Sequence, residues 1–420
     1  MNEHITRQVT RNIMPLLGIS FFVSILDRVN VGFASLTMNA DIGLSAAAYG
    51  FGAGIFFLGY FAFEIPSNLI LQKVGARRWI ARIMLTWGIL SMSMAFVQGP
   101  YSFYSVRFLL GLAEAGFVPG VVYYLNQWYT KRDIGRATAI FFAFGPIANA
   151  VGAPLSTALI EAVDWRWMFI IEGIPAIILG IIVFLRLPDR VEDATFLDES
   201  QKSELRAQLL AEGDSAARHA SPMSALKDLP TLALAFQYFL ILTTGYALNM
   251  WLPQIVRELG VKTSMVGWVV AVPYVAAALA IYFWSRYTKY TDDRLFYVLI
   301  PCAVGAMGFV IGALTANPIL SMFAFCCVAA GIYAGGSAYW ALPRPAVSGA
   351  AAAAAIALAN SLGNLGGFTG PYLFGIIRDT TGNYEYALFV AAAFLLSGGL
   401  MSFVNIRLAR QRSAQLAAAH

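Results

Sequence analysis

The chain has 420 residues, of which 59% are hydrophobic and only 12% charged, with a mean hydropathy of +0.67 and a formal net charge of +5. Soluble domains carry about 25% charged residues, so this composition excludes a soluble enzyme and makes lipid the solvent of most of the chain. Apolar windows of roughly 20 residues, enough to cross about 30 Å of hydrocarbon, recur about twelve times.

The first window, 13–36, is too long for the apolar core of a secretory leader and has no small-residue cleavage signal after it. It also holds Asp27 and Arg28, and it is expected to remain as a membrane helix. Windows at 45–71, 79–98, 101–128, 137–160 and 168–187 follow. Between Leu187 and Leu232 the composition changes to Pro188, Asp189, Arg190 and the acidic run Glu192, Asp193, Asp198 and Glu199. This reads as a cytoplasmic linker over 189–228, with an amphipathic helix expected around 200–211. Six more windows complete the chain at 231–252, 264–286, 295–315, 318–341, 348–376 and 385–406. Alternating strand patterns are absent, which argues against a barrel. The expectation is an all-α polytopic protein: one six-helix bundle over 1–188, the linker, and a second six-helix bundle over 229–420.

The placement of Lys and Arg orients the chain. With the N-terminus inside, about 22 of the 28 Lys and Arg lie on the cytoplasmic side. Arg166, Arg257, Lys262 and Arg378 lie outside, and Arg28 and Arg107 lie within the membrane. Both termini are therefore expected in the cytoplasm, and the net positive charge reports topology rather than nucleic-acid binding. Cys302, Cys326 and Cys327 fall in predicted spans, and His4, His219 and His420 fall in loops or tails. No metal-ligand spacing results, and the cysteines read as small packing residues. The chain has no phosphate-binding Gly-x-x-x-x-Gly-Lys-Ser/Thr loop, so no metal and no cofactor is expected.

The two halves echo one another. Short basic loops, Lys73 to Arg78 and Arg286 to Arg294, join the second and third helix of each half. Parallel repeats of this kind build transporters whose site lies between the halves. Five segments carry a more specific likeness: Leu26-Asp27-Arg28-Val29-Asn30-Val31-Gly32, Glu64-Ile65-Pro66-Ser67-Asn68, Arg107 to Gly116, Asp164-Trp165-Arg166, and Asn360 to Gly367. On these residues the chain resembles the major facilitator superfamily. Within it, the chain is similar to the anion:cation symporters, near bacterial permeases for tartrate, phthalate and similar carboxylates. The loop after the second helix departs from the superfamily pattern: Asn68 and Gln72 stand where a Gly and an Asp are usual, while Gly75, Arg77 and Arg78 are kept.

Charge at lipid depth costs roughly 2.5–3.5 kcal/mol per residue on insertion scales, so Asp27, Arg28, Arg107 and Glu114 stand out. Arg107 and Glu114, seven residues apart, would line one face of a continuous helix about 10.5 Å apart. Asp27 and Arg28 diverge by about 100°, so one is expected to face the cavity while the other braces a neighbouring helix. A guanidinium holds a carboxylate bidentately and stays charged. The resemblance implies Asp27 and Glu114 in proton coupling and Arg28 in substrate binding. Arg107 is expected beside Arg28 in the substrate site, with Tyr60, Ser337, Tyr339, Trp340, Asn360 and Asn364 as further walls. The bland reading is a salt-bridge network that orients helices, and the aromatics and Asn pair also fit helix packing. Glu64 and Glu172, near span ends, read as gate or packing residues. Arg344 reads as a cytoplasmic-end charge, and the Ala350 to Ala355 run as a close-packing surface.

The resulting expectation is a proton-driven importer of a small organic carboxylate, phthalate-like or tartrate-like, in the bacterial inner membrane. It acts by alternating access as a monomer in the lipid bilayer, with protons and the organic anion as partners and no nucleic acid. An exporter or anion exchanger using the same arginines, and a non-transporting sensor, are the competing readings.

Overall fold

The computed structural model describes residues 3–211, 228–288, 296–340 and 358–418, with side chains as far as residue 411. The expectations for Arg344, the Ala350 to Ala355 run and the loop at 289–294 lie outside the described residues. Every regular element among the described residues is helical. The first half comprises α1 (Glu3–Asp41), α2 (Ala46–Val74), α3 (Ala76–Ser93), α4 (Pro100–Glu114), α5 (Phe117–Asn126), α6 (Ile134–Ala162) and α7 (Trp165–Arg186). The linker carries α8 (Glu199–Ala211). The second half comprises α9 (Leu229–Glu258), α10 (Thr263–Tyr287), α11 (Phe296–Leu314), α12 (Pro318–Tyr339), α13 (Gly366–Thr381) and α14 (Glu385–Ala418). Residues 358–364 are helical and lead through a turn at Leu365 into α13.

Eleven helices among the described residues are long and apolar enough to cross a membrane, with α4 and α5 together making one. The window expected at 348–376 begins outside the described residues, and the helical residues 358–364 and α13 cover the rest of it. Outward faces stay apolar, as at Ile178 (51% exposed), Leu279 (53%) and Met307 (64%). Such surface suits hydrocarbon, because each helix satisfies its own backbone polar groups.

The packing shows the internal repeat directly. In the first half α1 packs on α6 and α7, α2 on α4, and α3 on α7. In the second half the equivalent pairs recur: α9 on α13 and α14, α10 on α12, and α11 on α14. Between halves, α2 packs on α13, α6 on α10, and α1 on α9. The first two of these contacts exchange under the same equivalence.

At the face opposite the chain termini, helix ends of one half are capped by side chains of the other. The Asp379 carboxylate accepts from the backbone N–H groups of Ala46 (3.0 Å) and Ala47 (2.8 Å) at the start of α2, where the helix dipole favours an anion. Arg257 of α9 donates to the Leu36 carbonyl near the end of α1, the end that favours a cation. Arg166 pairs with Asp41 on the same face.

The expectation of one uninterrupted fourth helix is corrected. The chain breaks between α4 and α5 at Gly116, whose φ of +87° is left-handed, a conformation that costs a residue with a Cβ. A Cβ there would also meet Ser67 Oγ at 2.3 Å. Ser67 Oγ is in turn committed: it donates to the Ala115 carbonyl at 2.7 Å and accepts from Trp79 Nε1 at 3.0 Å. Gly116→Ala is expected to destabilise the protein by about 1–3 kcal/mol, read as a lower Tm in detergent against a Gly135→Ala control. Gly135 has open space around it.

Candidate functional site

The break places Glu114 at the last position of α4, buried to 2% exposure against α1. Arg28 Nη2 lies 3.0 Å from Glu114 Oε1, and Ser24 Oγ, one turn earlier on α1, donates to the same oxygen at 2.7 Å. The guanidinium lies over the rings of Phe56 and Tyr60 on α2, its Cζ 5.4 Å from each centroid. From the second half, Tyr246 of α9 lies close to Arg28, and its phenol donates to Asn364 Oδ1 at 3.4 Å. Arg28 Nε has no acceptor among the described residues, so the guanidinium keeps donor capacity at the junction of the two halves.

Asp27 points the other way, as the 100° step between neighbours requires. Its carboxylate accepts from Trp87 Nε1 at 2.6 Å and Ser91 Oγ at 3.0 Å, both on α3. Beyond it on the same face of α1, Asn30 Nδ2 donates to Glu172 Oε2 at 3.0 Å, and Ser156 Oγ donates to Glu172 Oε1 at 2.7 Å. Two acids thus lie on the side of α1 that packs into the first bundle, whereas Arg28 and Glu114 lie nearer the second bundle.

Arg107 is fully buried. Its Nη2 donates to the Ala53 carbonyl at 3.1 Å, and its Cζ lies 4.9 Å from the Phe56 ring centroid. Arg107 and Arg28 therefore share one aromatic ring, but the partners of Arg107 all belong to α2. Tyr60 is buried beneath Arg28. Tyr339 donates to the Leu234 carbonyl at 3.0 Å and stacks on Tyr238 at 4.8 Å. Trp340 meets Tyr238 edge-on at 5.2 Å. Both aromatics thus pack within the second bundle, and Ser337 is exposed on α12. Asn360 faces the first half, its Nδ2 donating to Glu64 Oε1 at 3.3 Å, whereas Asn364 Oδ1 accepts from Tyr246 of its own half.

The structure therefore gathers Arg28, Glu114, Tyr60 and Asn364 at one junction, with Asn360 at its edge. Asp27 lies behind it, Arg107 inside the first bundle, and Tyr339 and Trp340 inside the second. Sequence reasoning missed Tyr246 and the inter-bundle contacts of Glu64. It also missed a polar set formed by Asn249, Tyr274 and Tyr333, in which Tyr274 donates to Asn249 Oδ1 at 2.8 Å and Tyr333 approaches Asn149 of α6 at 3.4 Å. A Tyr or Asn in an apolar window carries no positional signal of its own. Only the pairing of helices reveals which of them converge.

Two pseudo-equivalent helical bundles meeting around a buried ion pair define a polytopic membrane transporter rather than an enzyme. The chain belongs to the Major Facilitator Superfamily, whose sequence profile matches residues 17–371 and 234–419. A protein of Agrobacterium vitis named as a tartrate transporter is 43% identical over 99% of this chain and 98% of its own. A quinolone resistance transporter of Acinetobacter baumannii is 40% identical over 98% of this chain and 97% of its own. Among solved structures, a bacterial homolog of the human lysosomal transporter Spinster superposes with a TM-score of 0.74 at 14% identity, covering 94% of this chain and 96% of that one. At that identity the likeness concerns the fold.

Proposed function

We propose that this chain imports a small organic carboxylate with protons across the bacterial inner membrane, both termini facing the cytoplasm, by alternating access between its two bundles. The single observation that carries the reading is the Arg28–Glu114 contact of 3.0 Å beside Tyr246 of the opposite bundle. Among the described residues, Arg28 is a guanidinium at the junction of the halves with donor capacity to spare, and a substrate carboxylate fits its fork. An arriving carboxylate competes with Glu114 for that fork. Once displaced, Glu114 is a buried carboxylate without its counter-charge, an expensive state that proton uptake relieves. Anion and proton thereby occupy the site together, which is symport. Tyr246, Tyr60 and Asn364 supply the walls, and Asp27 holds α1 against α3 as the second acid near the path.

The relative at 43% identity named for tartrate supports a hydroxylated acid as substrate. The relative named for quinolone resistance favours a second reading, export through the same site, since quinolones are aromatic carboxylic acids. Proteoliposome uptake with an imposed inward proton gradient separates the two. Accumulation of tartrate or phthalate with alkalinisation of the outer medium is expected, and carboxylate movement that ignores the gradient would refute symport. In the same assay, Glu114→Gln is expected to keep counterflow while losing gradient-driven accumulation by at least about 10-fold.

A further inference from the structure

Arg77, Arg78 and Arg82 lie in the first two turns of α3, at the end of the molecule that carries the chain termini, since α2 starts from the opposite face and ends at Val74. Arg77 has its acid: Nε lies 3.4 Å from Asp189 Oδ2, and the same carboxylate accepts from the Arg77 backbone N–H at 2.8 Å. Arg82 is placed differently. Its Nε and Nη2 are without an acceptor among the described residues, and these two nitrogens form an edge that grips an oxyanion bidentately. Its flat face is covered by Trp79, with Cζ 3.8 Å from the ring centroid, and donation from Trp79 Nε1 to Ser67 Oγ at 3.0 Å pins that ring. Arg78, exposed, stands one turn before Arg82, and like charges at this spacing repel. The same outward stripe of α3 continues into apolar residues, with Leu85 partly exposed and Ile89 exposed. α7 walls the stripe: a Cβ at Gly180 would lie 3.2 Å from Leu85 Cγ, and Ile177 reaches α3 at Gly88.

The geometry points to a binding site for an anionic phospholipid on the outer side of α3, its phosphate held by Arg82 and Arg78 and an acyl chain laid along Leu85, Ile89 and Ile177. A phosphodiester presents two non-bridging oxygens to a guanidinium edge, a match in both charge and shape. The stacked, pinned Trp79 keeps the Arg82 cation in place beside hydrocarbon, where an aromatic face stabilises it. Depth selects a lipid over a soluble anion. Arg82 lies six residues into α3, about 9 Å along its axis, and the apolar stripe begins one turn further on. A soluble ion would leave water to reach that level, whereas a lipid headgroup already resides there. Net charge selects an anionic lipid over a zwitterionic one, because the choline of the latter would meet two guanidinium groups of its own sign. The site faces away from the junction of the bundles, so it stands apart from the Arg28–Glu114 pair and its test needs no transported substrate.

Native mass spectrometry of the delipidated full chain in detergent, titrated with phosphatidylglycerol or with phosphatidylcholine of the same acyl chains, reads the affinity for the first lipid bound. Phosphatidylglycerol is expected to bind at least about 5-fold more tightly than phosphatidylcholine. Arg82→Gln is expected to weaken phosphatidylglycerol at least about 10-fold, the loss of a charge-assisted bond, while leaving phosphatidylcholine as in the parent protein. Arg78→Gln, at an exposed position, is expected to weaken it about 5-fold, and Arg136→Gln, exposed on α6, to leave it unchanged. Excess glycerol 3-phosphate, the soluble headgroup, is expected not to displace the lipid. Equal affinity for the two lipids, unchanged phosphatidylglycerol binding in Arg82→Gln or Arg78→Gln, an equal loss in Arg136→Gln, or displacement by glycerol 3-phosphate would each overturn the lipid site.

Discussion

Arg28→Lys is expected to weaken carboxylate binding by roughly 10- to 150-fold and to abolish measurable uptake at substrate concentrations that saturate the parent protein. Lysine keeps the charge but not the fork. The ammonium is a point donor on a flexible stem, and loss of one charge-assisted bond costs about 1.5–3 kcal/mol, a factor of that order in Kd. Glu114 and the Phe56 and Tyr60 rings remain in place around the substitution, so the ammonium is held by Glu114 rather than freed to meet substrate. Isothermal titration of purified protein with tartrate and phthalate measures the loss. Unchanged affinity in Arg28→Lys would remove this residue from the binding site.

A valine at Gly50 is expected to hold apart the face that is shut in this structure. A Cβ at Gly50 would lie 2.3 Å from the Pro371 carbonyl oxygen and 3.1 Å from Tyr372 Cα. Both are backbone atoms of α13, which cannot step aside as a side chain would. A Cβ at Gly375 would meet the Ala46 carbonyl oxygen at the same 2.3 Å, so the approach of α2 and α13 is set by missing side chains at both helices. Overpacking of this kind costs about 1–3 kcal/mol, enough to shift a two-state equilibrium by roughly 5- to 150-fold. Cysteines at Ala46 and Asp379, which touch in the closed face, are expected to cross-link in a background without native cysteine. Adding Gly50→Val is expected to suppress that cross-link and to cut transport at least about 10-fold. Undiminished cross-linking would show that the two helices tolerate the side chain.

Much of the fold is legible in hydropathy, because a helix in lipid must be apolar over a set length. The windows at 45–71, 137–160 and 264–286 lie within a few residues of α2, α6 and α10. What hydropathy does not encode is rotation about each helix axis and the choice of neighbour. Charge in an apolar window revealed Arg28 and Glu114, since such residues need a partner. The divergence of Asp27 from Arg28 followed from helix geometry alone. Arg107 carried the same signal, yet its partners are the Ala53 carbonyl and the Phe56 ring, a packing outcome set by how closely α2 and α4 approach. Gly59 and Gly111 permit that approach: a Cβ on either would meet backbone oxygen at 2.3 and 2.0 Å respectively. The break at Gly116 was hidden for a related reason, because a glycine within an apolar run reads equally as a packing contact. Glu64 looked like a span-end acid, and only the pairing of its helix with residues 360–361 shows that it joins the two bundles.

The central claim, that substrate takes Arg28 from Glu114 and thereby brings in a proton, is tested most directly by titrating purified protein with its carboxylate in buffers of different ionisation enthalpy. The predicted result is uptake of about one proton per bound anion near neutral pH, lost in Glu114→Gln while binding persists. Binding enthalpies that do not depend on the buffer, or the same proton uptake in Glu114→Gln, would contradict it.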